Sequence, residues 1–222
     1  KLLRVKTSVA PVHTAADIYP SLKLVHFIQR YCVKVWTCIT QRAEESFFGT
    51  SQLYTTDTIL KKHNHFTIYN SLPYGMQLGS SMFQASSPKK PITLGVVSRL
   101  EYIKGMDLVI PVFAKIKQSH PEISLIVVGD GSLKDLMQRQ AIDLKCSESV
   151  RFVGQQPQEE LNKWYRQMDV VLMPSRSEGF GLTAIEAMAN GCVVVASNVG
   201  GLPEIVKDGR VGLLHANESV DD

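Results

Sequence analysis

Nowhere in the 222 residues does an apolar run approach the roughly 18 to 20 residues that a membrane span needs. The opening residues, Lys1-Leu-Leu-Arg-Val-Lys6, also lack the apolar stretch of a signal peptide. A protein without membrane insertion is expected. The four cysteines, Cys32, Cys38, Cys146 and Cys192, form no CxxC pair. Cys192 opens an apolar run in which a thiol acts as a small buried hydrophobe, so a reducing cytoplasm is the expected setting, with a Cys32–Cys38 disulfide as the alternative. His63 and His65 have no further ligands at metal spacing, and no metal site is expected. Basic residues do not cluster either. The net charge of +3 divides into +5 over residues 1–88 and −2 over 89–222, but the N-terminal Lys and Arg are scattered. A solvated surface explains them better than a polybasic patch for a membrane or an anionic acceptor, and nothing resembles a nucleic-acid module.

What is present reads as a folded α/β chain. Hydrophobic residues make up 44% and charged ones 20%, enough to bury a core in one large domain or two small ones. The stretch Gln84-Ala-Ser-Ser-Pro-Lys-Lys-Pro91 is the strongest linker signal, and it sets the expected boundary near residue 88. After it, apolar runs predict strands at Ile92–Val97, Ile123–Val128, Val150–Val153, Val170–Met173, Cys192–Ala196 and Gly212–His215. Helical patterns fill the gaps at Met106–Gln118, Leu133–Lys145, Pro157–Met168 and Leu182–Asn190, with a short turn near Pro203–Val206. Continuous apolar strands alternating with helices predict a doubly wound parallel sheet covered on both faces. Pro157 suits a first helical turn, whereas Pro111 is expected to kink or delay its helix. The first 88 residues are less legible. Leu22–Thr37 is helical or, after Lys34, extended; Phe66–Tyr69 predicts a strand and Asn70-Ser-Leu-Pro-Tyr-Gly75 a turn.

The densest chemistry lies in Glu178-Gly-Phe-Gly-Leu-Thr-Ala-Ile-Glu186. Two glycines around Phe180 let the backbone approach a ligand, and the run from Leu182 opens a helix whose free N–H groups favour phosphate. One carboxylate precedes the helix and the other lies inside it, so Glu178 and Glu186 can accept hydrogen bonds from sugar hydroxyls on two sides. The segment falls between two strands, where open α/β sheets bind ligands.

Five motifs in order carry a resemblance: Ser98-Arg-Leu-Glu-Tyr-Ile-Lys-Gly105, Val128-Gly-Asp-Gly131, Val150-Arg-Phe-Val-Gly154, Pro174-Ser-Arg-Ser-Glu-Gly-Phe-Gly-Leu-Thr-Ala-Ile-Glu186 and Gly200-Gly-Leu-Pro-Glu204. Through them residues 89–216 resemble the C-terminal, donor-binding domain of a retaining glycosyltransferase of the GT-B fold, in family four. The resemblance implies that Arg99 and Lys104 meet the donor's diphosphate and stabilise the leaving group. Their ordinary alternative is a solvated Arg and Lys at a helix start, where positive charge opposes the helix dipole. It implies that Glu178 orients the transferred sugar, that Glu186 holds the ribose hydroxyls, and that backbone N–H groups of Gly179, Phe180, Gly181, Leu182 and Thr183 meet the sugar or distal phosphate. The ordinary alternatives are a loop carboxylate and a helix-surface residue. Phe152, Val153 and Gly154 are candidates for the nucleobase, or Phe152 is simply core. Gly129 brings backbone near the nucleotide or forms a structural turn, as do Gly200 and Gly201.

The expected organisation is therefore a Rossmann-like donor domain at 89–222, preceded at 1–88 by a partial acceptor-side domain and linker. Those 88 residues are too few for a second doubly wound half, so the chain is expected to be a fragment. The acceptor-side His of the family is not placed; His13 is a loose substitute. The implied activity is transfer of a sugar from a UDP-, GDP- or ADP-linked donor to a glycan or lipid-linked acceptor, with retention and without cofactor or metal. The setting would be cell-surface polysaccharide or lipopolysaccharide synthesis, in the cytoplasm or peripherally at the inner membrane face. A nucleotide-sugar epimerase and a non-catalytic sugar-nucleotide-binding or interaction module are the alternatives.

Overall fold

The computed structural model describes residues 9–13, 27–28, 33–56, 64–72 and 91–216, which form two compact units. The division falls between Ser71 and Leu72, and Glu178, Gly179 and Phe180 group with the first unit. Residues 84–90 of the sequence-derived linker, like Cys32, His63 and Pro73–Gly75, lie outside the described residues.

In the first unit three short strands, β1 (Val9–Val12), β2 (Val35–Cys38) and β3 (His65–Thr67), pair in parallel in that order. Strand β3 starts one residue before the expected Phe66 and ends at Thr67. Helix α1 (Gln41–Phe48) follows β2. The Thr40 hydroxyl accepts from the Ala43 N–H at its start, and left-handed Gly49 ends it. Val12, Trp36, Cys38, Ala43 and Phe47 make the core. Cys38 is a free, buried thiol.

The second unit holds six parallel strands: β4 (Thr93–Val97), β5 (Ser124–Val128), β6 (Val150–Gly154), β7 (Val170–Met173), β8 (Val193–Ser197) and β9 (Gly212–His215), ordered β6-β5-β4-β7-β8-β9. The chain winds outward from β4 one way, returns, and winds the other way from β7. Alternate side chains serve opposite faces. Leu94, Val96, Leu125 and Val127 pack under α2 (Met106–Ser119) and α3 (Lys134–Asp143). Val97, Ile126, Val128, Val171, Val194 and Ala196 pack under α4 (Leu161–Tyr165), α5 (Leu182–Ala189) and α6 (Leu202–Ile205). Beyond α2, Leu172, Val195 and His215 line a groove of about 480 Å³ beside Leu108 and Ile116.

Two local readings differ from the sequence expectation. The Pro157–Met168 stretch is not one helix. Pro157 is extended (φ −66°, ψ 152°) and caps a 3-10 turn at Gln158–Glu160, so α4 begins only at Leu161. Bonds from Gln167 N to Trp164 O and Met168 N to Tyr165 O then tighten its exit. Pro111 neither delays nor interrupts α2. Proline leaves the carbonyl four residues earlier without its helical donor, and the Gln140 side-chain amide of α3 donates to that Asp107 oxygen at 3.2 Å.

Candidate functional site

In a sheet of this order the strands on either side of the reversal leave a crevice at their carboxyl ends. Here those strands are β4 and β7, and the loops after them carry Arg99, Lys104 and Glu178. Their placement follows from sequence order alone once the reversal is known.

The loop after β4 is anchored by Leu100, which is fully buried, and so presents Arg99 at the surface. The Leu100 N–H donates to Asp130 O at 2.9 Å, and Leu133 N returns a bond to Leu100 O at 2.9 Å. Glu101 accepts from the Ser132 hydroxyl at 2.6 Å and its N–H at 3.1 Å. Those bonds hold the Glu101 carboxyl below its ordinary pKa. Lys104 ends a 3-10 turn, Tyr102–Lys104, and is half-buried immediately before α2.

Gly129 follows β5, with its N–H on Gly154 O at 2.9 Å. Its φ is 135°, and a Cβ there would stand 1.8 Å from Ser98 O, so only glycine lets the β5 loop pass the β4 loop this closely. On β6, Phe152 and Val153 are partly buried and pack on opposite faces, Phe152 with the α2–α3 core and Val153 with the α4–α5 core.

Helix α5 starts after Gly181, a left-handed cap residue (φ 97°) that supplies no side-chain acceptor. Ala184 N bonds back to Gly181 O at 2.9 Å, and the N–H groups of Leu182 and Thr183, at the very start of the helix, keep their donor character toward a ligand. Thr183 in that first turn bonds Val97 O, the end of β4, at 3.3 Å. The helix terminus is thereby set against the strand that leads to Arg99 and Lys104. Gly179 and Glu178 are half-buried and Phe180 is buried, all three within the first unit's grouping.

Glu186 lies one turn further along α5 and is no surface residue: it is 5% exposed. Its Oε2 accepts from the Tyr165 hydroxyl at 2.8 Å and its Oε1 from the Gln158 amide at 2.8 Å. Burial first, and then the Glu186 charge, push the Tyr165 phenol far above its ordinary value, so it remains a proton donor to the carboxylate. Oε2 faces a wholly buried partner, whereas Oε1 faces a side chain on an exposed turn.

Tyr165, Gln158, Glu101 and Arg176 are site-building residues that the sequence motifs alone did not single out. Glu101 and Arg176 lie inside two of the five motifs, and Gln158 and Tyr165 inside the helix expected at Pro157–Met168, but no feature of the sequence marks them apart from their neighbours. Cys192 supplies no nucleophile, since its thiol donates to Tyr165 O and Met168 O and burial pushes it up to about 12. Among the described residues no cluster of three His, Cys, Asp or Glu could hold a metal ion. No helix among them is long and apolar enough to cross a membrane.

The chain resembles known proteins in both sequence and fold. Over 134 residues the chain is 39% identical to D-inositol 3-phosphate glycosyltransferase of Corynebacterium jeikeium, covering 57% of this chain and 32% of that protein. It is 37% identical over 139 residues to glycogen synthase of Mycobacterium tuberculosis, covering 62% and 34%. The chain thus spans about one third of these curated relatives. Among solved structures, Anabaena HepE in complex with UDP superposes with a TM-score of 0.77 at 22% identity, over 96% of this chain and 59% of that one. The C-terminal domain of the group 1 glycosyl transferase LpcC of Francisella tularensis gives a TM-score of 0.54 at 29% identity, covering 60% and 72%. The fold is the α/β, Rossmann-like GT-B fold of these neighbours. A family model described as "Glycosyl transferases group 1" matches residues 80–222, well over half of the chain, and the chain belongs to that family.

Proposed function

We propose that this chain carries the donor side of a retaining glycosyltransferase, which moves a sugar from a nucleoside diphosphate to a glycan or lipid-linked acceptor. The observation that carries the reading is the meeting, at the carboxyl end of β4, of the Arg99–Lys104 loop with the α5 terminus, through the Thr183 bond to Val97 O. Cationic side chains and helix-terminal N–H groups together suit a diphosphate. Glu186 supplies the carboxylate for ribose hydroxyls. The backbone at the end of β6, from Val153 to Gly154, and Gly129 are assigned to the base side of the nucleotide, and Glu178 to the transferred sugar. The UDP complex of HepE supports a nucleotide donor of this kind.

In the proposed reaction the bond between the anomeric carbon and the phosphate oxygen breaks, and its electron pair stays on that oxygen. The acceptor hydroxyl bonds to the same face of the sugar and gives its proton to the leaving phosphate. Arg99 and Lys104 offset the charge left behind. The scheme asks for no metal ion or further cofactor. Its biological setting would be surface polysaccharide or lipopolysaccharide synthesis, in the cytoplasm or at the inner face of its membrane.

Calorimetric titration with UDP, GDP, ADP and the matching nucleosides tests the donor assignment. A diphosphate should bind much more tightly than its nucleoside, and Arg99→Ala/Lys104→Ala should remove that advantage. An unchanged advantage in the double variant refutes the assignment. NMR of the product's anomeric proton tests retention, and an inverted product overturns it.

A further inference from the structure

The loops that flank the sheet's reversal are tied together by one side chain that no ligand role requires. Arg176, three residues after β7, sends Nη1 to Tyr102 O and to Asp107 Oδ1, each at 2.7 Å, and Nη2 to Asp107 Oδ2 at 2.9 Å. Its guanidinium carbon lies 3.7 Å from the Tyr102 ring centroid. The pair is largely shielded, with the two side chains 12% and 22% exposed. A forked, stacked arrangement of this kind depends on a planar guanidinium, which lysine does not supply.

The backbones follow the same path. Arg176 N donates to Ile103 O at 3.0 Å. Gly105 is left-handed, and a Cβ on it would stand 1.8 Å from Pro174 O, so the loops touch main chain to main chain. The clamped residues, Tyr102 and Ile103, lie between Arg99 and Lys104. On its other side the same loop is held by Glu101 to Ser132.

Resting on the diphosphate reading above, we infer that Arg176 is a positioning residue, which fixes the Arg99–Lys104 loop for the donor's diphosphate without touching it. Its fork is committed to Tyr102 and Asp107. Loosening it leaves both cations in the chain but spreads their positions, so diphosphate recognition falls while nucleoside recognition stays.

The test measures the ratio of nucleoside to diphosphate dissociation constants by calorimetry, using uridine with UDP, guanosine with GDP and adenosine with ADP. For the pair that binds, Arg176→Ala should lower the ratio at least tenfold with the nucleoside constant within twofold of wild type. Arg176→Lys should restore little, since it lacks the fork. Asp107→Asn, which keeps the Tyr102 carbonyl bond, should fall between. Adding Arg176→Ala to Arg99→Ala/Lys104→Ala should change nothing further.

Should Arg176→Ala fold and keep the wild-type ratio while Arg99→Ala/Lys104→Ala loses it, the inference is wrong and the diphosphate reading stands. Should the Arg99/Lys104 variant keep its ratio, or no diphosphate be preferred, the reading fails and this inference with it. If Arg176→Ala does not fold, Arg176→Lys and Asp107→Asn decide: wild-type ratios in both overturn the inference.

Discussion

At the scale of single residues, the two oxygens of Glu186 differ in what holds them. Oε2 is bonded to a phenol sealed in the core, and Oε1 to an amide on an exposed turn. Under the proposed assignment a ribose would take the place of Gln158 at Oε1, while Tyr165 keeps the carboxylate aimed. Glu186→Gln should therefore weaken ribonucleotide binding by about 1.5–3 kcal/mol, the usual worth of hydrogen bonds to a charged group. The matching deoxyribonucleotide should lose less; equal losses in calorimetry would show that the residue acts elsewhere. Tyr165→Phe removes the inner partner and strands a buried carboxylate oxygen, so it should cost about 1–3 kcal/mol of stability in denaturant unfolding. The glutamate itself stood out in the sequence because a motif surrounds it. Tyr165 did not, because a tyrosine in an apolar helix pattern looks like core until the bond to its hydroxyl is seen.

At the scale of elements, α2 shows how a rule about one residue is set aside by a neighbouring helix. Pro111 leaves Asp107 O without a helical donor, and Gln140 of α3 supplies one. Gln140→Leu should then destabilise by about 1 kcal/mol, and by less in a Pro111→Ala background, where the new N–H can serve the same carbonyl. A cycle of unfolding free energies with no coupling would contradict this account. The same helix carries Asp107, whose carboxyl is held below its ordinary range first by the hydrogen bond from Arg176. A folded-state pKa below the unfolded one gives stability that is complete above the unfolded value, about 3.9, and is lost as pH falls through the folded value. The melting-temperature gap between wild type and Asp107→Asn should accordingly be widest above pH 4 and close below it. A gap that is constant down to pH 2 would exclude the ion pair as its cause.

At the scale of the molecule, each compact unit has its own parallel sheet and core. The first is built around a wholly buried carboxylate: Glu44 meets Thr67 Oγ1 at 2.5 Å, His65 Nδ1 at 2.6 Å and Gln52 N at 3.1 Å. Removing it deprives three polar groups of their partner, and a loss on the order of 3 kcal/mol is expected for Glu44→Ala. Hydrogen exchange should report this as faster exchange in β2 and β3. In the second unit, nucleoside diphosphate should protect the loops at 98–105 and 129–133 and the first turn of α5, while leaving β9 unchanged. Protection confined to other segments would displace the site.

The sequence by itself determined the element order of the second unit, because strands that are apolar throughout and helices with one apolar stripe have different periods. It also determined the candidate chemistry, because Arg99, Lys104, Glu178 and Glu186 sit in motifs next to strand ends. Tertiary structure alone decided which strands are neighbours, and hence that the loops after β4 and β7 meet. It decided that Gln140 completes a helix broken on paper by Pro111, that Tyr165 and Gln158 hold Glu186, and that Arg176 reaches Tyr102 and Asp107. Those contacts join residues 21 to 74 positions apart. Periodicity reports which face of an element is buried; it carries no information about the partner across the gap, which depends on how the elements pack.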